Sequence, residues 1–204
     1  MGKVIADLAT SAASATFAVE NATSSVDYVL SGTDGSANHH LKTDGSGNLA
    51  WVAPPTAGVN TPYFYAYLVT DASISDATWT KVPCNTVSFE TGATYDETTN
   101  FRFTPAVAGK YYIYGQVQCR SDTTAKLSET RISIYKNGSD AFHTVTMNRD
   151  RDGLTYNTPT IAGVLDMNTT DYVELWAYID AYSGGQRFYG SYQATHFMAY
   201  KLID

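Results

Sequence analysis

The 204-residue chain is short of cysteine, of positive charge and of any long apolar run, and each shortage removes a class of protein. Two cysteines, Cys84 and Cys119, are too few for a disulfide scaffold and allow one bridge at most; two buried thiols is the simpler expectation. Thirteen lysines and arginines against twenty acidic residues leave a formal net charge of −7, whereas a nucleic-acid binder needs a positive face for phosphates. No apolar run approaches the roughly 20 residues of a membrane-spanning helix, so no membrane insertion is expected. A leader is not expected either, because Asp7 interrupts the apolar stretch of residues 1–19 and Ala6 stands where a myristoylation motif has Ser or Thr. Catalytic signatures are missing too: there is no Gly-x-Ser-x-Gly, no Walker A lysine loop and no His-Glu-x-x-His. No carboxylate pair is recognisable for glycoside hydrolysis. The expectation is a chain that is not an enzyme and holds no cofactor.

What the chain has is tyrosine. It carries 16 Tyr, 8 Phe and 3 Trp, with hydrophobic residues at 44% and charged residues at 16%, far too apolar for a disordered chain. The aromatics are unevenly spread: residues 1–62 hold only Phe17, Tyr28 and Trp51. So few large side chains cannot offset the entropy of ordering 62 residues alone. Residues 1–62 are therefore expected to form an arm for docking or trimerisation, ending in the linker Ala53-Pro54-Pro55-Thr56-Ala57-Gly58. Residues 63–204 form the head. Within the arm, Thr33-Asp34-Gly35-Ser36-Ala37-Asn38 returns ten residues later as Thr43-Asp44-Gly45-Ser46-Gly47-Asn48. Asp-Gly is a turn signal, so short strands joined by hairpins are expected around both copies.

From Tyr63 onwards the period is two. Val173, Leu175, Ala177 and Ile179 fall on one face of a run, and Arg131-Ile132-Ser133-Ile134-Tyr135 alternates before the turn Lys136-Asn137-Gly138. Strands are expected at about 63–70, 79–83, 86–90, 100–104, 110–119, 129–136, 141–147, 159–166, 171–180 and 191–202, and no stretch sustains a helical period. Ten short strands in one aromatic-rich domain make an all-β sandwich or jelly roll.

The order of landmarks is specific. Phe64-x-Ala66-x-Leu68 is followed by Tyr95-Asp96, by Phe101-x-Phe103-Thr104-Pro105-x-x-x-Gly109-x-Tyr111-Tyr112-Ile113, and by Gly163-Val164-Leu165-Asp166-Met167-x-x-x-Asp171-Tyr172-Val173-Glu174-Leu175; Phe197-Met198-Ala199-Tyr200-Lys201-Leu202 closes the series. Over about 140 residues this resembles the globular head of the C1q/tumour-necrosis-factor superfamily. Met198-Ala199 in place of Ser-Gly, Lys201 in place of an apolar residue and Thr170 in place of Gly depart from that pattern. The resemblance implies a ten-stranded jelly-roll sandwich that assembles as a homotrimer about a three-fold axis, the chain arriving and leaving at one end. It also implies that Tyr63, Tyr65, Tyr112, Tyr114 and Tyr200 line the sheet facing that axis, where tyrosine suits a subunit interface. The arm has its own likeness: His40-Leu41-Lys42-Thr43-Asp44-Gly45-Ser46-Gly47-Asn48-Leu49-Ala50-Trp51 is similar to a phrase in structural proteins of tailed bacteriophages, notably tail fibres.

Three further groups of residues are candidates for chemistry. Asn148, Asp150 and Asp152, with Gly153 at the sixth position, match the opening of a calcium loop, but Pro159 stands where the closing Glu belongs, so a plain charged loop is preferred. Trp176, Tyr178, Tyr182, Phe188 and Tyr189 flank Ser183-Gly184-Gly185; aromatics on a glycine-flexed loop suit a sugar ring or a protein receptor, and edge packing is the plainer alternative. His143 and His196 have no carboxylate placed beside them by sequence and are expected to pack or hydrogen-bond; the adjacent His39 and His40 face opposite sides of any strand and cannot share a metal. Together these readings give a non-enzymatic virion protein on a phage particle surface. Its arm would engage other virion proteins, and its trimeric head would bind a host-surface glycan or protein. The alternative is a capsid decoration protein tied to the shell by the arm, which the short chain favours.

Overall fold

The computed structural model describes residues 16–17, 28–29, 35–54, 58–122, 126–147 and 154–202. Two units divide the chain, residues 1–57 and 58–204. In the first, β1 (Thr16–Phe17) pairs with β2 (Tyr28–Val29), and β3 (His40–Thr43) pairs with β4 (Leu49–Val52) in an antiparallel hairpin. The second repeat copy is the turn of that hairpin. Asp44 accepts hydrogen bonds from Ser46 N (2.7 Å), Asn48 N (3.2 Å) and Asn48 Nδ2 (2.6 Å), while Gly45 and Gly47 take φ of 80° and 95°. Of the first copy, Gly35 to Asn38 are described and make a tight turn, closed by His39 N to Ser36 O at 3.0 Å; Thr33 and Asp34 lie outside the described residues. Gly35 there lies against the Trp51 indole, so close that a Cβ would stand 2.8 Å from the ring.

In the second unit the period-two runs all contain strands. These are β5 (Tyr63–Tyr67), β6 (Ala72–Ile74), β7 (Thr80–Lys81), β8 (Thr86–Glu90), β9 (Tyr95–Asp96), β10 (Arg102–Phe103), β11 (Gly109–Gln116), β12 (Cys119–Ser121), β13 (Leu127–Lys136), β14 (Ser139–Met147), β15 (Tyr156–Asn157), β16 (Thr160–Met167), β17 (Val173–Ala181), β18 (Gln186–Phe188) and β19 (His196–Lys201). The short strands β6, β9, β15 and β18 lie outside the expected runs. β12 breaks away from the end of one, where Val117 N turns to Pro159 O and Gln118 N to Thr195 Oγ1.

Three antiparallel sheets result. One has the order β14-β13-β17-β10-β9, with β7 also on β17; the second is β16-β11-β19-β5-β8; the third, small, is β15-β12-β18-β6. The first two face each other. Ile132, Ile134, Val173, Leu175, Ala177 and Ile179 come from one side, and Phe64, Tyr111, Ile113 and Phe197 from the other, all buried. Phe64 is the hub: it stacks on Tyr95 (ring centroids 4.5 Å) and Phe103 (4.7 Å) and meets Phe197 edge-on (5.0 Å). The chain arrives and departs at one end, where Lys201 N donates to Pro62 O (3.1 Å) and Leu202 N to Lys110 O (2.8 Å). β11 starts at this end, and β12 lies beyond its far end, so the small sheet sits at the opposite, distal end.

Candidate functional site

The five-stranded sheet is aromatic on both faces. Alternation sends Phe64, Tyr111, Ile113 and Phe197 inward, so the intervening residues point out. Cross-strand register arranges them in rows: Tyr112, Tyr200 and Tyr63 in one; Tyr114, Met198, Tyr65 and Phe89 in the next; Gln116, His196 and Tyr67 in a third. The five tyrosines singled out from the sequence thus share this outward face, each half-buried by its neighbours. Tyr112 and Tyr200 lie 5.4 Å apart, and Tyr65 stacks on Phe89 at 5.5 Å. His196 is held between Tyr65 (5.4 Å) and Tyr114 (5.5 Å), with Nδ1 2.8 Å from Gln193 O. Burial lowers the His196 pKa against that hydrogen bond and raises the phenol pKa values of Tyr65 and Tyr114. Asn60, Tyr63, Phe89, Met198 and Tyr200 line a shallow hollow of about 420 Å³ here. Phe89 and Val164 remain more than half exposed on the chain alone. Such a face offers area for association and no nucleophile.

The aromatics around Ser183-Gly184-Gly185 do not converge on that loop, and packing, the plainer expectation, describes Phe188, Trp176 and Tyr178. Phe188 is fully buried: on β18 it turns inward beside Gln186, because their side-chain parity is the opposite of Arg187's. Trp176 is mid-strand in β17, on the outward face of the six-stranded sheet, stacked on Tyr135 (4.8 Å) and donating Nε1 to Glu174 Oε2 (3.0 Å). Tyr178 shares that face, packed against Trp79 at 5.8 Å. Of the group, Tyr182 is exposed at the loop and Tyr189 lies under the Arg120 guanidinium, whose carbon is 3.2 Å from the ring centre. Arg120, Arg187 and Tyr156 of the small sheet were missed, because strands of two or three residues carry no readable period.

Asn148, Asp150 and Asp152 lie outside the described residues. Among the described residues no three His, Cys, Asp or Glu side chains converge as a metal requires. His143 hydrogen-bonds, as expected, and its partner is a carboxylate the sequence did not place: Asp140 Oδ2 stands 2.6 Å from its Nδ1, three residues away on the same strand, where the pairing with β13 is bulged. Ser133 donates to the other oxygen of that carboxylate (2.8 Å) rather than to the imidazole, and it is fully buried. The geometry therefore lacks the serine–histidine bond that nucleophilic catalysis uses. Cys84 and Cys119 are buried and form no disulfide, and burial pushes both thiols well above their ordinary pKa.

No protein-family model matches the sequence, and no curated protein does. Among solved structures the chain is similar to Eiger TNF from S. frugiperda, with a TM-score of 0.51 at 11% identity, covering 70% of this chain and 94% of that one. The head is a C1q/TNF-like jelly roll. Murine APRIL aligns with a TM-score of 0.48 at 19% identity, covering 69% of this chain and 98% of its own. The globular domain of zebrafish complement 1qA protein aligns with 0.47 at 15%, covering 70% and 97%. At such identities the likeness is one of fold, and the jelly roll's own outward residues must supply the functional reading.

Proposed function

We propose that the protein is a non-enzymatic structural protein of a tailed-phage virion. Its C1q/TNF-like head forms a homotrimer and binds a glycan or protein on the host surface, and its N-terminal segment engages other virion proteins. The observation that carries this reading is the second aromatic face of β16-β11-β19-β5-β8. A sheet with Tyr63, Tyr65, Phe89, Tyr112, Tyr114, Met198 and Tyr200 outward is built to be covered, and copies of the same chain supply matching faces. Three linked weak sites would then raise avidity without any new contact. The phage context is supported by the phrase at residues 40–51, which is the hairpin β3–β4.

A capsid decoration role is the second reading. It is favoured by that same hairpin, which has two strands and two open edges among the described residues, suited to pairing with a neighbouring shell protein. Gold-labelled antibody against the head, imaged on intact particles, separates the two. Label at the tail, together with loss of infection when excess free protein competes for cells, supports adhesion. Label spread over the shell makes it a decoration protein, and unlabelled particles overturn the virion reading.

A further inference from the structure

The distal sheet presents one outward row in which Tyr156, Arg120, Arg187 and Ser73 are successive cross-strand partners. Cys119, Ser121, Gln186 and Phe188 turn inward and are buried. Two arginines directly opposite one another repel, so their pairing here needs compensation. Arg187 has it: Nε lies 2.9 Å from Asp71 Oδ2, and Nη1 meets Asp122 Oδ1. Arg120 has no carboxylate among the described residues.

Arg120 is nonetheless fixed. Its Nε donates to Gln118 Oε1 at 2.9 Å, and Gln118 is itself held through Nε2 to Thr158 Oγ1 at 3.3 Å. The guanidinium carbon stands 3.2 Å from the Tyr189 ring centre and 5.8 Å from that of Tyr156. One face of the fork is thus occupied and one nitrogen spent, while no described residue accepts from Nη1 or Nη2. An oriented, planar guanidinium with a free outer edge is matched by a carboxylate, which takes two parallel hydrogen bonds from it. Such a group is conspicuous in a chain of net charge −7. Beside it, Tyr156 is 57% exposed and offers a ring face to the C–H side of a pyranose. Asp71 and Asp122, already steered by Arg187, keep lone pairs for sugar hydroxyls.

We propose that this row is a subsite for the carboxylate-bearing sugars of an acidic surface polysaccharide, Arg120 holding the carboxylate and Tyr156 the ring. The proposal rests on the adhesion reading and narrows its ligand. An acidic peptide shares the carboxylate but brings no ring for Tyr156, so the glycan is the better match.

The test titrates the full-length protein by calorimetry with trigalacturonic acid, with the same trisaccharide after its carboxyls are reduced to alcohols, and with a glutamate oligopeptide. The acid trisaccharide is expected to bind, and the reduced one about tenfold more weakly or less, as the charge-assisted bonds are lost. Arg120→Lys keeps the charge but not the fork and is expected to weaken binding by about fivefold. Tyr156→Ala should weaken it by about threefold or more through lost ring contact. Circular dichroism melts of both variants, matching the parent, show that the fold is intact. Absent binding, equal binding of the reduced sugar, unchanged affinity of Arg120→Lys or preferential binding of the peptide would each overturn the subsite. The adhesion reading fails by a different observation, namely free protein that does not compete with particles for cells, and neither failure entails the other.

Discussion

Gly115 shows how narrowly single residues are fitted. It lies in β11 between Ile161 and Phe197 of the flanking strands, and a Cβ there would stand 2.5 Å from Leu175 Cδ1 and 3.4 Å from Ile161 Cγ2. The Leu175 methyl from the opposite sheet fills the space that any larger residue needs. Gly115→Ala is expected to cost about 1–3 kcal/mol by overpacking, read as a lower urea midpoint at unchanged slope. Asp171 is a different kind of dependence. Its carboxylate accepts from Asn168 N (2.8 Å) and Asn137 Nδ2 (2.7 Å) and pairs with Lys136 Nζ (2.9 Å), which together hold its pKa down to about 2 from an ordinary 3.8. A depressed carboxyl stabilises the fold above its unfolded pKa, and that contribution is lost as pH falls from about 4 towards 2. Stability measured across that window should therefore fall steeply in the parent and less steeply in Asp171→Asn.

At the scale of strands and sheets, the outward face of β5, β11 and β19 is the feature to perturb. Met198 sits at its centre, flanked in register by Tyr114 and Tyr65, with the core residues Phe197 and Ala199 turned the other way. Met198→Glu is expected to lower the sedimenting mass from trimer to monomer and, with the loss of association, the melting midpoint, while the far-ultraviolet circular dichroism of the strands is retained. A trimer that survives this change would assign the face to some other partner. The long strands were legible because alternation over eight or more residues fixes which side each residue takes: Val173, Leu175, Ala177 and Ile179 are all fully buried, as their spacing requires. The distal strands were not. β12, β15 and β18 have two or three residues each, and a one-residue shift in so short a run exchanges the two faces. Phe188 accordingly stands in the sequence only as a loop-flanking aromatic that packs or binds, where the structure makes it core, and Arg187, its outward neighbour, carries no signal. Trp176 was tied to the glycine loop by nearness in sequence, yet a strand carries each residue away by roughly 3.3 Å, and it lies mid-strand. The Arg120–Tyr189 stack joins residues 69 positions apart, which no local pattern can announce.

The whole molecule is two units of unequal self-sufficiency. Every member of the buried core, from Phe64 to Ala199, belongs to residues 58–204. A protein consisting of 58–204 alone is therefore expected to unfold cooperatively with a thermal midpoint within a few degrees of the full chain's. Loss of cooperativity would mean that the first unit contributes to the core. In the first unit Leu41 and Trp51 are each 39% exposed, and the hairpin's order comes from turn hydrogen bonds rather than a core of its own. Finally, the hydrogen bonds from Lys201 to Pro62 and from Leu202 to Lys110 bring the two ends of the head within one bond of each other. Such a domain behaves like a bead with both threads on one side. It can be spliced into a surface loop of an unrelated carrier, or re-cut with its ends joined and a new opening made elsewhere, without disturbing the sheets or crowding the distal row.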